Sequence, residues 1–472
     1  RMITFFFKTY GCQANVADSE SVAKILKALG CDDVTHEEAA DLIVINTCAV
    51  RDKAERKLFS YIGRLAALRQ KKPYLNIGVM GCVASYKRDE IYKRFDCVNF
   101  VHGARDDIKL LQAFLSDLVV KLETKKQLFQ QDPDQKIFSG GQAGDLRERV
   151  QRSRLLEKIP TLLSRPKEMQ SIQPFKRNRE VNRSFINIMT GCNKYCDYCI
   201  VPFTRGREVS FPASQILDRF AYDIAHGAKE VTLVGQNVNS YKDPEKGIGF
   251  AELLEQTAQL PGDFWIRWIS PHPQDMTQKL FDVIAKYQDR IPDYIHFPVQ
   301  SGSNRILELM KRNYTIEYYL EQIEWLRSRM PDATISTDII VGFPGETDFD
   351  YQQTRDLVEK VQFDFIYSFI YSQRRYTGAS QKTDDCPKEL KAQRLEDLQK
   401  RQHEISLDRN RRHIGTKMKT LVEKRLANGK LLARTTGSIR VLFDGSDDKI
   451  GTFVDLEMYD AAPQHLLAKL VT

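Results

Sequence analysis

Short apolar runs of strand length alternate with longer amphipathic stretches over most of the chain. Leu42-Ile-Val-Ile-Asn-Thr47 and Asn76-Ile-Gly-Val-Met-Gly81 read as strands, as does Phe5-Phe-Phe-Lys-Thr-Tyr-Gly11, continuing a run that opens at Ile3. Between them, Ser19–Leu29 and Lys53–Leu68 carry helical spacing, the first with Asp18 or Ser19 as its cap. Alternating strand and helix predicts a doubly wound parallel sheet over residues 1–118. Each strand leads into a cysteine: Cys12, Cys48 and Cys82. Such sheets bind ligands at the carboxyl ends of their strands, so three thiols far apart in sequence are placed to meet. Gly11 and Gly81 allow tight turns there. The alternative is that all three pack as small hydrophobes.

The rhythm resumes over residues 181–410. Candidate strands are Phe185–Met189, Glu230–Val234, Trp265–Ile269, Tyr294–Phe297, Thr334–Val341 and Asp364–Ile370, with helical stretches such as Thr315–Met330 between them. This predicts a parallel α/β barrel too short for eight units, with its site at the carboxyl ends of the strands. From 411 to 472 the pattern changes to short β runs with glycine turns, including a hairpin signal at Asp444-Gly445, and predicts a small OB-like β-barrel. Residues 119–180 are polar and weakly patterned, with a break at Ser139–Gly144 and a mostly basic stretch from Arg147 to Arg183. They read as a solvated linker or, alternatively, as a surface for RNA phosphate.

Composition narrows the picture modestly. The 472 residues are 42% hydrophobic, suited to several globular domains. No apolar run reaches membrane-spanning length and no secretory signal is visible, so no membrane is expected and the location reads as cytoplasmic, an organelle being the alternative. Arg1 precedes Met2, which leaves a removed targeting segment open. The net charge of +8 suits a polyanionic partner and suits a merely soluble basic protein equally. Nine cysteines, three of them clustered, argue against a disulfide framework and for a reducing compartment.

The cluster is Cys192, Cys196 and Cys199, spaced C-x-x-x-C-x-x-C in a loop after a strand. Three thiolates on one loop can hold three irons of a cubane and leave the fourth open for chemistry. The alternative is zinc, which wants a fourth ligand; none is evident in the loop, and the nearest histidine is His226.

This loop, with its continuation Ile200-Val-Pro-Phe-Thr-Arg-Gly-Arg-Glu208, resembles the radical S-adenosylmethionine (SAM) methylthiotransferases. Within them it is most similar to the MiaB-type synthases of 2-methylthio-isopentenyladenosine in tRNA. Thr9–Glu20, Asn46–Arg51 and Gly81–Ala84 look like that family's N-terminal domain. The resemblance implies two [4Fe-4S] clusters, one on Cys192, Cys196 and Cys199, and an auxiliary one on Cys12, Cys48 and Cys82 that supplies sulfur. It implies a central partial (β/α)6 barrel and a C-terminal RNA-binding TRAM barrel, for which Arg434, Arg440 and Arg409–Lys419 are candidate contacts. SAM would lie against Tyr198, Gln236, Gln300, Ser336 or Thr337, and Val341. Arg205 and Arg207 are candidates for the SAM carboxylate or RNA phosphate. Phe203, Phe297 and Phe343 are candidates for a prenyl pocket, with ordinary core as the alternative. Cys31, Cys97 and Cys386 match no motif and read as structural. The expected partners are the tRNA anticodon stem-loop, an electron donor and an iron–sulfur supply system. Ala14 replaces a usual methionine, Ser210-Phe-Pro212 replaces a usual Arg-Pro, and Tyr371–Gly378 departs from the family pattern. Alternatives are a methylthiotransferase for threonylcarbamoyladenosine in tRNA or for a ribosomal-protein aspartate, or an RNA-binding protein that keeps clusters only as structure.

Overall fold

A computed structural model describes residues 2–49, 52–131 and 183–471. The break at 139–144 and the basic stretch as far as residue 182 lie outside the described residues. The chain divides into two compact units: residues 1–175 with Ile200–Arg207, and Lys176–Cys199 with Glu208–Thr472.

In the first unit the order is β1 (Thr4–Tyr10), α1 (Gln13–Ala28), β2 (Asp32–Asp33), β3 (Leu42–Thr47), α2 (Asp52–Lys71), β4 (Asn76–Gly81), α3 (Cys82–Arg94), β5 (Phe100–Gly103), α4 (Ile108–Gln131) and α5 (Val201–Arg205). The sheet runs β2-β1-β3-β4-β5, all parallel. Strand alternation makes two cores. Leu42 and Val44 pack with Phe5, Leu26 and Leu115 on one face, and Ile43 and Ile45 pack with Leu58, Ile77 and Val83 on the other. Two strands escape the sequence pattern, the two-residue β2 and the four-residue β5. The boundary expected at 118 falls inside α4, whose Leu118, Val119 and Leu122 belong to the core. Asp18 and Ser19 do not cap α1. The helix begins nearly two turns earlier, after Cys12, and Ser19 is turned inward to bond Asn15 and Asn46.

The second unit carries β6 (Arg183–Asn187), β7 (Met189–Thr190), β8 (Val209–Ser210), α6 (Ala213–Ala225), β9 (Glu230–Val234), α7 (Phe250–Ala258), β10 (Trp265–Trp268), α8 (Gln278–Lys286), β11 (Tyr294–His296), α9 (Asn304–Leu309), α10 (Ile316–Arg329), β12 (Thr334–Val341), α11 (Asp348–Val361), β13 (Phe365–Ile370) and α12 (Lys388–Arg411). Its parallel strands form two ladders, β10-β9-β6 and β11-β12-β13, the six strands of a partial barrel. Then β14 (Lys417–Arg425), β15 (Leu431–Thr435), β16 (Arg440–Phe443), β17 (Phe453–Ala462) and β18 (His465–Leu470) close in the order β14-β15-β16-β18-β17. Asp444-Gly445 is therefore not a hairpin turn: β16 pairs with β15 and β18, not with the strand that follows it.

The small barrel seats on the amino ends of the larger one's strands through buried charge. Glu230, first residue of β9, pairs with Arg183 at 2.8 Å and Arg267 at 2.6 Å. Arg267 donates to the carbonyls of Thr435 and Thr436 at 3.0 and 3.1 Å. Glu423 accepts from Arg183 and Arg434. A side chain at Gly437 would come within 2.2 Å of the Thr334 hydroxyl. Two of the arginines expected on an RNA face are thus spent inside the protein: Arg434 on Glu423, and Arg409 on Asp364. Arg440 remains exposed. The opposite, carboxyl ends of the strands are left for a site.

Candidate active site

In the first unit the 2-1-3-4-5 order reverses between β1 and β3, the switch point at which doubly wound sheets bind ligands. Cys12 and Cys48 follow those two strands, and Cys82 follows β4. Cys12 sits just before α1 and Cys82 opens α3, so two thiols stand at positive helix ends that favour anionic sulfur. Cys12 and Cys48 lie within hydrogen-bonding reach, and the Arg205 guanidinium stands beside both Cys12 and Cys82. Hydrogen bonding from Cys48 is the main cause that brings the Cys12 thiol down to about 6, against burial, with Asn15 and the Arg205 guanidinium helping. Arg205 Nε donates to Cys82 Sγ at 3.3 Å while its Nη2 pairs with Asp18 at 2.7 Å. Arg205 is therefore committed within this unit rather than offered to SAM or phosphate.

A buried polar network behind the thiols escaped sequence reasoning. Asn15 Nδ2 donates to Asn46 Oδ1 at 2.8 Å, and Asn46 Nδ2 donates to the Asn15 carbonyl at 2.8 Å and to Ser19 Oγ at 3.0 Å. Gly81 has φ +97° and ψ −161°, a region almost reserved for glycine. A Cβ there would meet Asn46 Oδ1 at 2.2 Å. The only sequence signal was an asparagine one residue from the end of an otherwise apolar strand.

In the second unit, Gly191 leads from β7 into the Cys192–Cys199 loop. Its N–H donates to Gln236 Oε1 at 2.7 Å, so Gln236 pins the loop. Lys194 donates to Gln274 at 3.0 Å and Asp275 at 2.8 Å. Asp197 pairs with Lys311 at 2.9 Å and Lys382 at 2.7 Å. Arg312 Nη1 donates to Cys196 Sγ at 3.3 Å and to the Tyr198 hydroxyl at 3.4 Å. Cys192 and Cys196 are buried and Cys199 is half-buried; burial pushes the Cys192 thiol up to about 11. Among the described residues no three His, Cys, Asp or Glu side chains converge on a single-ion point.

The strand ends around this loop hold the other expected residues. Along β12, Ile335, Ile339 and Val341 face the helical core. Thr337 is likewise tied down: its hydroxyl donates to the Phe297 carbonyl at 2.8 Å and accepts from Val299 N–H at 2.9 Å. Ser336 faces the interior, where its hydroxyl bonds Tyr294 at 2.7 Å and His296 at 2.9 Å. His296 also approaches Asp338, at 3.4 Å. Gln300 is buried with φ +76°. Phe297 and Phe343 are fully buried core, while Phe203 is exposed. The edge strand β13 instead exposes aromatics: Tyr367 is 49% and Phe369 43% accessible, and the Tyr367 ring lies 5.8 Å from His296. Buried polar atoms at these strand ends that lack a partner include Asn237 Oδ1, His272 Nε2 and the Tyr371 hydroxyl. Such orphans are costly unless a ligand satisfies them. Cys31 is core, and burial raises its thiol to about 12; burial raises the Cys97 and Cys386 thiols as well.

A partial parallel barrel with three cysteines on a loop at its strand ends defines the radical-SAM class, and the profile of the Radical SAM superfamily matches residues 186–358. The profile "Uncharacterized protein family UPF0004" matches residues 4–103. A radical SAM methyltransferase, TsrM, from Kitasatospora setae has a similar fold, with TM-score 0.52 at 12% identity over 80% of this chain and 77% of that one. The tRNA-2-methylthio-N(6)-dimethylallyladenosine synthase of Carboxydothermus hydrogenoformans is 38% identical over 99% of both chains. That of Bdellovibrio bacteriovorus is 38% identical over 97% of this chain and 93% of its own. This chain belongs to the family of tRNA-2-methylthio-N(6)-dimethylallyladenosine synthases.

Proposed function

We propose that the protein is a radical-SAM tRNA methylthiotransferase that converts N6-isopentenyladenosine next to the anticodon to its 2-methylthio derivative. The observation that carries this is the pairing of two cysteine triplets, each at the carboxyl end of its own parallel sheet, in a chain that aligns with such synthases end to end. C2 of adenosine bears hydrogen and no leaving group, so polar substitution is disfavoured. When bound, SAM and the two [4Fe-4S] clusters supply a 5′-deoxyadenosyl radical and the inserted sulfur.

Cys192, Cys196 and Cys199 hold the SAM-binding cluster, and Cys12, Cys48 and Cys82 hold the second. Tyr198, Gln300 and Ser336 border SAM, with Thr337 and Val341 acting through the backbone. Gln236 orients the cysteine loop while its neighbour Asn237 offers a free acceptor suited to an ammonium group. Tyr367 and Phe369 receive the prenylated base, Tyr367 by stacking, which is worth roughly 1–3 kcal/mol per base. The prenyl group adds on the order of 2 kcal/mol by burial and helps hold C2 in place, where small displacements cost rate. The C-terminal barrel contacts the tRNA backbone through its exposed basic residues, Arg440 among them. A low-potential electron donor and a sulfur supply complete the cycle, in the cytoplasm.

The test is nucleoside mass spectrometry after matched reactions of reconstituted protein with tRNA bearing or lacking the prenyl group. Much faster product formation on the prenylated tRNA is expected. Equal rates, or product only from threonylcarbamoyladenosine tRNA, overturn the assignment.

A further inference from the structure

We infer that Arg312 and Arg205 are positioning residues: each hydrogen-bonds a ligand sulfur of one cluster and raises that cluster's reduction potential. Each cysteine triplet has one buried arginine whose N–H reaches one of its sulfurs at 3.3 Å, Arg312 to Cys196 and Arg205 to Cys82. The guanidinium of Arg312 is held rigidly, with Nη2 on the Pro298 carbonyl at 2.9 Å and Nε on the Tyr314 hydroxyl at 3.0 Å.

Charge makes the argument stronger for Arg312. A buried guanidinium needs a counter-charge, and among the described residues Arg312 forms no ion pair with a carboxylate. Its neighbours are a thiol, two tyrosine hydroxyls and a carbonyl. An anionic thiolate-ligated cluster supplies what is missing. Arg205 differs, because Asp18 already neutralises part of its charge.

When a low-potential donor passes one electron to the cluster, the added negative charge sits beside the guanidinium and is stabilised. Hydrogen bonds to cluster sulfurs act in this sense. The potential therefore becomes less negative, and more so at Arg312 than at Arg205.

The two sites are separable by titrating one-cluster proteins. R312Q is measured in the Cys12, Cys48 and Cys82→Ala background and R205Q in the Cys192, Cys196 and Cys199→Ala background. Each is reconstituted anaerobically, assayed for iron and followed by electron paramagnetic resonance against dithionite. R312Q is expected to lower the reduced-to-oxidised ratio at a fixed potential about tenfold, a 59 mV fall for one electron, and R205Q by a smaller factor. R312K, which keeps the charge and loses the forked contacts, is expected to stay near the parent midpoint even where its melting temperature drops. An iron-loaded R312Q with an unchanged midpoint overturns the inference, and so does an R312K midpoint that falls as far as that of R312Q. The Arg205 half rests on the second cluster proposed above. A Cys192, Cys196 and Cys199→Ala protein that takes up no iron overturns that cluster and the Arg205 half together, while Arg312 is decided by its own titration.

Discussion

Replacing Gly81 by alanine is expected to dismantle the first cysteine site while leaving all six candidate cysteines in the chain. Gly81 has φ +97° and ψ −161°, a conformation that costs a non-glycine residue about 1–3 kcal/mol. The new methyl carbon would lie 2.2 Å from Asn46 Oδ1 and 2.8 Å from the Thr47 carbonyl. The backbone oxygen cannot move without displacing Cys48, so the Asn46 amide must swing away. It then gives up its bonds to Asn15 and Ser19. Three buried hydrogen bonds at about 0.5–1.5 kcal/mol each, added to the backbone strain, total roughly 3–7 kcal/mol. That is a large share of the 5–15 kcal/mol typical of a domain. The lost bonds also hold the first turn of α1, and so Cys12. G81A is expected to melt about 10–20 °C lower and to take up roughly four irons instead of eight on reconstitution. G30A is the control: Gly30 also has positive φ, +82°, but no atom lies within 4 Å of its Cβ position. It should lose only about 1–2 kcal/mol and keep its full iron. G81A with the parent's melting temperature and iron content would refute the argument.

Burial alone would push the Glu230 carboxyl up, but Arg267, Arg183 and Arg434 hold it down to about 2. Its stabilising contribution is complete above the unfolded value near 4.3 and is lost as pH falls through about 2. Thermal melts between pH 5 and 2 should therefore steepen in the parent and flatten in E230Q, which is less stable at neutral pH; parallel curves would contradict this. Tyr367→Ala and Phe369→Ala should raise the KM for prenylated tRNA roughly 5- to 100-fold with little effect on tRNA-independent SAM cleavage, and unchanged KM values would remove β13 from the base pocket. Arg440→Glu should weaken tRNA binding and make its salt dependence shallower by about one to two counterions, whereas identical slopes in a filter-binding series would exclude that contact.

The amino-acid sequence by itself determined the elements and much of the chemistry. β3, β4, β9, β12 and β15 occupy the stretches the sequence predicts, most plainly β3 and β4, whose burial on both faces requires a mostly apolar run. The C-x-x-x-C-x-x-C loop was legible because its three ligands are local. The placement of Cys12, Cys48 and Cys82 at the carboxyl ends of β1, β3 and β4 was legible too, since a parallel sheet puts all its carboxyl ends on one side. What escaped is what depends on partners distant in sequence. Cys82 and Arg205 lie 123 residues apart and Cys196 and Arg312 lie 116 apart, so no spacing rule connects them. Arg434 and Arg409 looked like surface cations until Glu423 and Asp364 appeared beside them. Phe297 and Phe343 read as pocket candidates, while Tyr367 and Phe369 carried no signal of their own. Only the assembled barrel decided which aromatics its helices cover and which its edge strand exposes, because burial is fixed by neighbouring elements and not by a residue's own type.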